Sequence, residues 1–246
     1  MNENQTGNGQ EVSVDMRRHS TPEYMGMIVG RSFEELKLLD DEGRIDGSGI
    51  THPEGFNLAL DKAKDMLSSG QKPELIAVSP LERAKQTALL INGELTRGTD
   101  QESQGIPITT VDEFAELSPT PDDYEFSRNQ MIKNGQLEDP NKISTGKESG
   151  IYFYTALRRF FELYKPDIEA QADAAIRRLQ ELAAEHQVHQ ILVISHGFNI
   201  GIIRARLLGE DVTTVLDFGE SNPLEGYKLA MNLDSGLINI TDNGKQ

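Results

Sequence analysis

The chain has 246 residues, enough for one large α/β domain or two small ones. Its net charge of -16 argues against nucleic acid or an anionic membrane as a partner, because phosphate backbones attract clustered Lys and Arg. The sequence contains no Cys, which excludes disulfides, thiolate zinc sites and a Cys nucleophile, and its apolar runs fall far short of the ~20 residues that span a bilayer.

Residues 1–10 are polar and rich in Gly, Asn and Gln. They have neither the basic start nor the apolar stretch of a signal peptide, so we expect a disordered tail on a cytoplasmic protein. A hydrophobic fraction of 37% is enough to build a core, and we expect residues 11–246 to form a single domain around it.

Strand-like and helix-like segments alternate along the rest of the chain. Strands are predicted at 12–16, 74–78, 106–111 and 190–195, helices at 51–69, 80–95, 151–164, 167–186 and 198–208, and a closing β-hairpin at 227–233 and 237–240. Thr21 and Pro22 are suited to cap and open a further helix, and 40–49 is typical of a surface loop. The alternation predicts a three-layer αβα sandwich with a mostly parallel sheet and an antiparallel edge.

The stretch from 118 to 150 breaks this pattern. Pro119, Pro121, Pro140 and several Gly interrupt any regular periodicity there. A stretch of this length inside a compact domain is usually an active-site cover or an insertion. We therefore expect an insertion over the site, and we expect it to set substrate identity together with residues 21–39.

Three of the predicted strands lead into Arg or His. The first ends at Arg17-Arg18-His19, the second is followed by a turn and Arg83, and the fourth is followed by His196. Successive residues of a strand point to opposite faces, so Arg17 should point away from Arg18, and we leave it out of the site. The carboxyl ends of parallel strands form the edge where open α/β sheets bind ligands, so the other side chains should converge there on an anion.

Each of these residues also has a simpler interpretation. Arg83 is expected in the first turn of a helix that Ser79 caps and Pro80 begins, where the helix dipole disfavours a cation. It could bind an anion together with nearby amides, or it could face solvent. His19 and His196 could each be a buried histidine with one satisfied hydrogen bond. The joint pattern favours the anion site, because core packing does not call for Arg or His at three strand ends.

These segments resemble the motifs of the histidine phosphatase superfamily, also called phosphoglycerate mutase-like proteins. Arg18-His19-Ser20 resembles its R-H-G signature, residues 79–88 (SPLERAKQTA) resemble its second motif, and residues 194–197 (ISHG) are similar to its C-terminal motif. Thr51-x-x-x-Gly55 resembles the usual first crossover. The likeness spans roughly residues 11–209, with the motifs in order.

The resemblance implies a mechanism that needs neither a metal nor another cofactor. His19 would attack phosphorus and carry the phosphoryl group as phosphohistidine. Arg18, Arg83 and His196 would surround the phosphoryl oxygens. Their positive charge would offset the charge that spreads over those oxygens in the transition state.

The reaction also needs a general acid, which protonates the leaving alkoxide and then activates water. The family often supplies a Glu shortly after the third strand. Here Glu116 in Phe114-Ala115-Glu116 matches that spacing, with Glu113 as the reserve. Both could instead be ordinary surface acids in a chain with 40 Asp and Glu.

The sequence departs from the family pattern at several points. Ser20 replaces the usual Gly, which would narrow the pocket or add a hydroxyl donor, and the Asn common a few residues later has no clear counterpart. Leu117-Ser118-Pro119 lacks the R-H-Y-G continuation of glycolytic phosphoglycerate mutases, which disfavours mutase activity. Gly30-Arg31-Ser32 could be mistaken for a motif that has lost its His, but Arg18-His19 has both residues and the preceding strand.

The sequence therefore predicts metal-independent hydrolysis of a small-molecule or protein phosphomonoester, with neither nucleic acid nor membrane as a partner. Two alternatives stay open. One is a phosphotransferase or mutase of the same fold, and the other is a non-catalytic phosphate-binding scaffold protein. The sequence indicates neither the physiological substrate nor the oligomeric state.

Overall fold

The computed structural model describes residues 10–22, 29–41, 48–99, 104–218 and 222–242, so nearly all of the predicted tail lies outside the described residues. The strands are β1 Glu11–Arg18, β2 Leu75–Val78, β3 Ile108–Thr110, β4 Gln190–Ser195, β5 Gly226–Asn232 and β6 Ile238–Asp242. The helices are α1 Phe33–Asp41, α2 Glu54–Ser68, α3 Glu82–Thr96, α4 Pro121–Lys133, α5 Gly146–His186, α6 Gly197–Leu208 and α7 Val215–Phe218, with short 3-10 turns at Asp112–Phe114 and Val212–Thr214.

All the strands belong to one sheet with the order β3-β2-β4-β1-β5-β6. The first four of these pair in parallel, whereas β5 pairs antiparallel with both β1 and β6. The prediction of a mostly parallel sheet with an antiparallel edge is confirmed. Every residue of β2 is buried, and so is every residue of β4 after Gln190, which is typical of parallel strands covered on both faces.

Apolar side chains form one core cluster on each face of this sheet. Val12 and Val14 of β1 pack against α5 and α6 on one face, and Ile76 and Val78 of β2 pack against α2 and α3 on the other. α2 contributes a stripe of small and apolar residues at helical spacing, namely Gly55, Ala59, Ala63 and Met66. Helices on both faces of one sheet make the expected three-layer αβα arrangement.

The segment 118–150 contains more regular structure than the sequence pattern indicated. α4 occupies residues 121–133, and Thr120 and Asp123 form a reciprocal capping box at its start, with Pro121 as the first helical residue. Pro119 and Pro121 therefore flank and begin a helix, whereas Pro140 lies in the connection between α4 and α5. The expectation of an unpatterned stretch was wrong for residues 121–133, because a Pro at the first helical position is compatible with a helix.

α5 unites the two helices that were predicted on either side of Pro166. It begins at Gly146, where Thr145 and Glu148 form a second capping box, and its backbone leaves helical geometry at Tyr164 (φ -115, ψ 19). The kink lies just before Pro166 because the proline ring lacks an amide hydrogen and crowds the preceding turn. Within the described ranges, no helix is both long enough and apolar enough to cross a membrane.

The segment after the first strand differs from the helix predicted at Thr21. Pro22 makes an isolated antiparallel bridge with Ile50, so it does not begin a helix, and residues 23–28 lie outside the described residues. α1 starts later, at Phe33. The predicted surface loop at 40–49 begins as the last turn of α1, and its residues 42–47 also lie outside the described residues.

The closing hairpin forms as predicted, with Gly236 in the turn at a φ of 70. Its first strand, β5, approaches β1 very closely at Gly226. A Cβ at that position would lie 1.7 Å from the carbonyl oxygen of Met16. The pairing of β5 with β1 therefore requires glycine there, directly beside the strand end that carries Arg17 and Arg18.

Candidate active site

The carboxyl ends of β1, β2 and β4 meet at one edge of the sheet. Arg18 pairs in register with Ser195, and Val78 pairs with Ile194. The pairing continues one residue further, since the amide of His19 donates to Ser195 O at 2.8 Å and the amide of Ser79 donates to Ile194 O at 3.0 Å. This register brings the three strand-end segments together, as the sequence predicted.

His19 is 1% exposed, and its ring is held by its own neighbour. Its Nδ1 lies 2.5 Å from the carbonyl oxygen of Ser20, so Nδ1 carries the ring hydrogen and Nε2 keeps the lone pair. Burial lowers the pKa of His19 well below its usual value, and the neighbouring His196, Arg83 and Arg18 lower it further against the opposing effect of Glu116. The imidazole is therefore neutral and nucleophilic near pH 7.

His196 lies directly against this ring. The two ring centroids are 5.0 Å apart, with an interplanar angle of 62°. Its Nε2 is 2.7 Å from Ser79 Oγ, and its Nδ1 is 3.6 Å from Glu116 Oε2. Burial lowers the pKa of His196 well below its usual value, and the positive charges of Arg83 and then Arg18 add to this effect.

Two buried arginines supply the positive charge of the cluster. Arg18 is 7% exposed at the end of β1, and Arg83 is 1% exposed in the first turn of α3. Thr87, one turn along α3, donates its hydroxyl to Arg83 O at 2.8 Å. Burying a guanidinium group is costly without an anionic partner. Both guanidinium groups lie close enough to His196 to lower its pKa, so they concentrate positive charge at this edge of the sheet in an otherwise acidic protein.

Glu116 is the acid that the structure brings to this cluster. One of its carboxylate oxygens, Oε2, accepts a short hydrogen bond from Arg83 Nη2. Asn199 on α6 fixes the local backbone, since its side chain binds Ala115 O and accepts the amide of Leu117 at 3.2 Å. The reserve candidate, Glu113, instead lines a small cleft with Gln171 and Ala172 on the α5 side.

A model of the histidine phosphatase superfamily (branch 1) matches residues 59–225. The chain belongs to this superfamily. The matched segment contains Arg83, Glu116 and His196 and begins downstream of Arg18 and His19, which the fold places at the same edge. Membership supports a phosphatase-type enzyme. No curated protein matches the chain.

Solved structures with this fold cover nearly the whole chain at low sequence identity. They include phosphoglycerate mutase from Bacillus anthracis (TM-score 0.59, 14% identity, 96% of this chain and 94% of that one). A putative alpha-ribazole-5'-P phosphatase from Escherichia coli is similar as well (TM-score 0.56, 16% identity, 95% and 97%). So is phosphoserine phosphatase from Entamoeba histolytica, in complex with 3-phosphoglyceric acid (TM-score 0.53, 15% identity, 96% and 98%). The chain thus has the phosphoglycerate mutase-like fold.

Ser20, which stands where the superfamily usually has Gly, is fully buried. Its hydroxyl donates to Gly55 O at 2.7 Å, and its amide donates to Thr87 Oγ1 at 3.0 Å. The added hydroxyl is thus bonded to the first turn of α2. The Ser20 hydroxyl is therefore a donor whose acceptor is the protein itself.

Two other sequence interpretations are settled by local hydrogen bonds. Arg17 shares a face of β1 with Asp15, and its Nε donates to Asp15 Oδ1 at 2.5 Å, so it points away from Arg18 as predicted. Ser32 caps α1, because its hydroxyl accepts the amide of Glu35 at 3.2 Å and Glu35 Oε2 accepts the Ser32 amide at 2.7 Å. The segment at Arg31-Ser32 is therefore a helix start.

Two side chains of the site were given other roles, or none, by the sequence. Ser79 was expected to cap α3, but the helix begins at Glu82 with Leu81 in the capping position, and Ser79 reaches His196 instead. Asn199 was overlooked, although its place three residues after His196 puts it on the first turn of α6. Among the described residues, no group of three or more acidic or histidine side chains could hold a metal ion.

Proposed function

We propose that the protein hydrolyses a phosphomonoester, carried by a small molecule or a protein, through a phosphohistidine on His19 and without a metal ion. One observation carries this proposal. The neutral ring of His19, whose Nδ1 is held by Ser20 O, lies in a buried cluster with Arg18, Arg83 and His196. Such a cluster combines a nucleophilic nitrogen with fixed positive charge for phosphoryl oxygens.

In the first step, Nε2 of His19 attacks phosphorus and the bond from phosphorus to the ester oxygen breaks. The guanidinium groups of Arg18 and Arg83 balance the charge on the oxygens that do not react, the role that bound cations take in other phosphoryl-transfer enzymes. The product of this step is phosphohistidine and an alkoxide that needs a proton.

Glu116 supplies that proton. A phosphoryl group between Arg18 and Arg83 competes with Glu116 for the Arg83 guanidinium and so releases the carboxyl group for proton transfer. In the second step, the carboxylate that remains accepts a proton from water. The resulting hydroxide attacks phosphorus, the bond to Nε2 breaks, and inorganic phosphate leaves.

We further propose that residues 118–150 cover the site and contact the organic part of the substrate. The segment leaves the sheet edge just after Glu116. It ends within α5. Three residues further along that helix, Phe153 packs against Phe198, which lies two residues after His196, with a centroid distance of 6.0 Å. Tyr124 of the segment stacks on Tyr152 at 5.3 Å, so α4 is held to α5 beside this contact.

The test is steady-state hydrolysis of p-nitrophenyl phosphate and a broad panel of phosphate esters, measured in EDTA. Wild-type protein should release phosphate, and His19→Ala should abolish release. His52→Ala is the matched control, because His52 is exposed and its ring contacts Phe56 edge to face, outside the cluster. No turnover of any ester, a requirement for a metal, or full activity in His19→Ala would overturn the proposal.

A further inference from the structure

The hydroxyl of Ser79 is placed to determine which nitrogen of His196 carries hydrogen. Ser79 is fully buried just beyond the end of β2, and its Oγ lies 2.7 Å from His196 Nε2. The same oxygen accepts the amide of Leu81 at 3.3 Å. Ser79 is therefore bound on one side to the start of α3 and on the other to the imidazole.

Counting donors and acceptors assigns the direction of the bond to His196. The Leu81 amide can only donate, so it leaves the Ser79 hydroxyl hydrogen unused. Among the described residues, His196 Nε2 is the one acceptor within hydrogen-bonding distance of that hydroxyl. If Oγ donates to Nε2, then Nε2 carries the lone pair and the ring hydrogen of a neutral His196 lies on Nδ1.

The surroundings of Nδ1 lead independently to the same tautomer. This atom is buried and has no hydrogen-bond partner among the described residues, and Glu116 Oε2 lies 3.6 Å away. A hydrogen on Nδ1 would be attracted by the Glu116 carboxylate, whereas a lone pair on Nδ1 would be repelled by the electrons of Oε2. The choice of tautomer matters because the lowered pKa of His196 keeps the ring neutral.

We propose that Ser79 is a positioning residue that holds His196 as the Nδ1–H tautomer, so that Nδ1 offers its hydrogen to Glu116 Oε2 and, once substrate is bound, to a phosphoryl oxygen that takes the place of that carboxylate. The catalytic consequence rests on the proposed function, whereas the tautomer itself does not. In the Nε2–H form, a lone pair on Nδ1 would face the bound phosphoryl oxygens and repel them.

The direct test is two-bond ¹H–¹⁵N correlation NMR of the histidine rings in ¹⁵N-labelled protein, with His196→Gln used to assign the signals. Wild-type protein should show His196 as Nδ1–H at pH 7. Ser79→Ala should shift it toward a mixture or the Nε2–H form, and Ser79→Thr, which keeps the hydroxyl, should restore it. An Nε2–H ring in wild-type protein would overturn the proposal, even if a variant fails to fold.

Ser127→Ala is the matched control, because Ser127 is another fully buried serine whose hydroxyl donates to a backbone carbonyl, Tyr152 O, at 2.7 Å. It should leave the His196 signals unchanged. With p-nitrophenyl phosphate, Ser79→Ala should lower kcat about tenfold, as expected for one buried hydrogen bond that acts in the transition state. Ser79→Thr should recover most of that loss.

The two proposals fail separately. If the His196 tautomer changes in Ser79→Ala and is restored in Ser79→Thr, but the protein hydrolyses no ester, the proposed function is wrong and the role of Ser79 in setting the tautomer stands. If the protein hydrolyses phosphate esters but the His196 tautomer does not change in Ser79→Ala, the proposed function stands and the role of Ser79 is wrong.

Discussion

The rings of His19 and His196 lie edge to face, with their centroids 5.0 Å apart. Both are buried beside Arg18 and Arg83, and for both rings burial is the largest cause of a lowered pKa. A proton on either ring would be repelled by both guanidinium groups. The site thus keeps its permanent positive charge on arginine and its lone pairs on histidine, which is the division of roles that phosphoryl transfer to nitrogen requires.

The paired histidines predict a fold that loses stability on mild acidification. Because their pKa values are lower in the folded protein than the ordinary ~6.5, the unfolded chain binds more protons once the pH falls below about 6.5. The free energy of unfolding should therefore decrease as the pH falls from 7 to 5. Each ring contributes up to about 1.4 kcal/mol per pH unit until its folded-state pKa is reached.

Denaturant unfolding at closely spaced pH values between 7 and 5 measures this slope. The double variant His19→Gln/His196→Gln should show a clearly shallower dependence than wild type over the same range. An equal slope in both proteins would show that the buried rings are not the source of the acid sensitivity.

Glu116→Gln should act on the leaving group. For an alkyl phosphate, whose alkoxide must be protonated as it departs, kcat should fall by about 10²–10⁴, the usual contribution of a general acid. For p-nitrophenyl phosphate, whose leaving group departs readily as an anion, the loss in the first step should be much smaller. Burst-phase kinetics with both substrates separate the first step from hydrolysis of the intermediate.

Glu113→Gln is the control for this experiment, since Glu113 lies on the cleft with Gln171 and not in the cluster. It should resemble wild type with both substrates. A loss that is the same for alkyl and aryl substrates in Glu116→Gln, or a selective loss in Glu113→Gln, would assign the acid elsewhere.

The adjacent arginines of β1 provide a matched pair. Arg18→Gln should lower kcat/KM by about 10²–10³, since it removes a fixed donor to the phosphoryl group. Arg17→Gln should change kcat/KM little, because Arg17 lies on the other face and bonds to Asp15. Equal losses in the two variants, measured with the same ester, would contradict the assignment of one strand face to the site.

Gly226→Ala should be strongly destabilising, by about 3 kcal/mol or more, because a Cβ would lie 1.7 Å from Met16 O and would force β5 away from β1. Gly93→Ala is the control. Gly93 lies within α3, and a Cβ there meets nothing within 4 Å, so this change should stabilise the protein by about 0.5–1 kcal/mol. Guanidinium unfolding measures both, and a Gly226→Ala protein as stable as wild type would contradict the close approach.

The strands and the residues at their ends were predictable because each depends on a local pattern. β4 was expected at 190–195 and is observed at Gln190–Ser195, since an apolar run this short and rich in β-branched residues favours a buried strand over a helix. Once the sheet is parallel, the convergence of His19, Arg83 and His196 follows from topology alone. The placement of these three residues could therefore be predicted without knowing any individual side-chain contact.

What the sequence did not show depends on contacts between distant segments. Ser79 is a residue type that commonly caps helices. In the structure, the turn at Pro80 and Leu81 instead directs its hydroxyl toward His196. Glu113 and Glu116 lie on one short segment and have similar neighbours in the sequence. What distinguishes them in the structure is the pair of hydrogen bonds with Asn199, which fix the backbone at residues 115 and 117 on either side of Glu116. α4 was missed because prolines were taken as interruptions where one of them begins a helix.

The central claim is that phosphorus becomes bonded to His19, and trapping that bond tests it most directly. Wild-type protein is mixed with p-nitrophenyl phosphate in EDTA, quenched in alkali because phosphohistidine is acid-labile, digested, and examined by mass spectrometry. We predict a phosphoryl group on the peptide that contains Arg18 and His19, absent in His19→Ala and more abundant in Glu116→Gln. Turnover of the ester with no phosphoryl group on His19, or with undiminished rate in His19→Ala, would contradict the account.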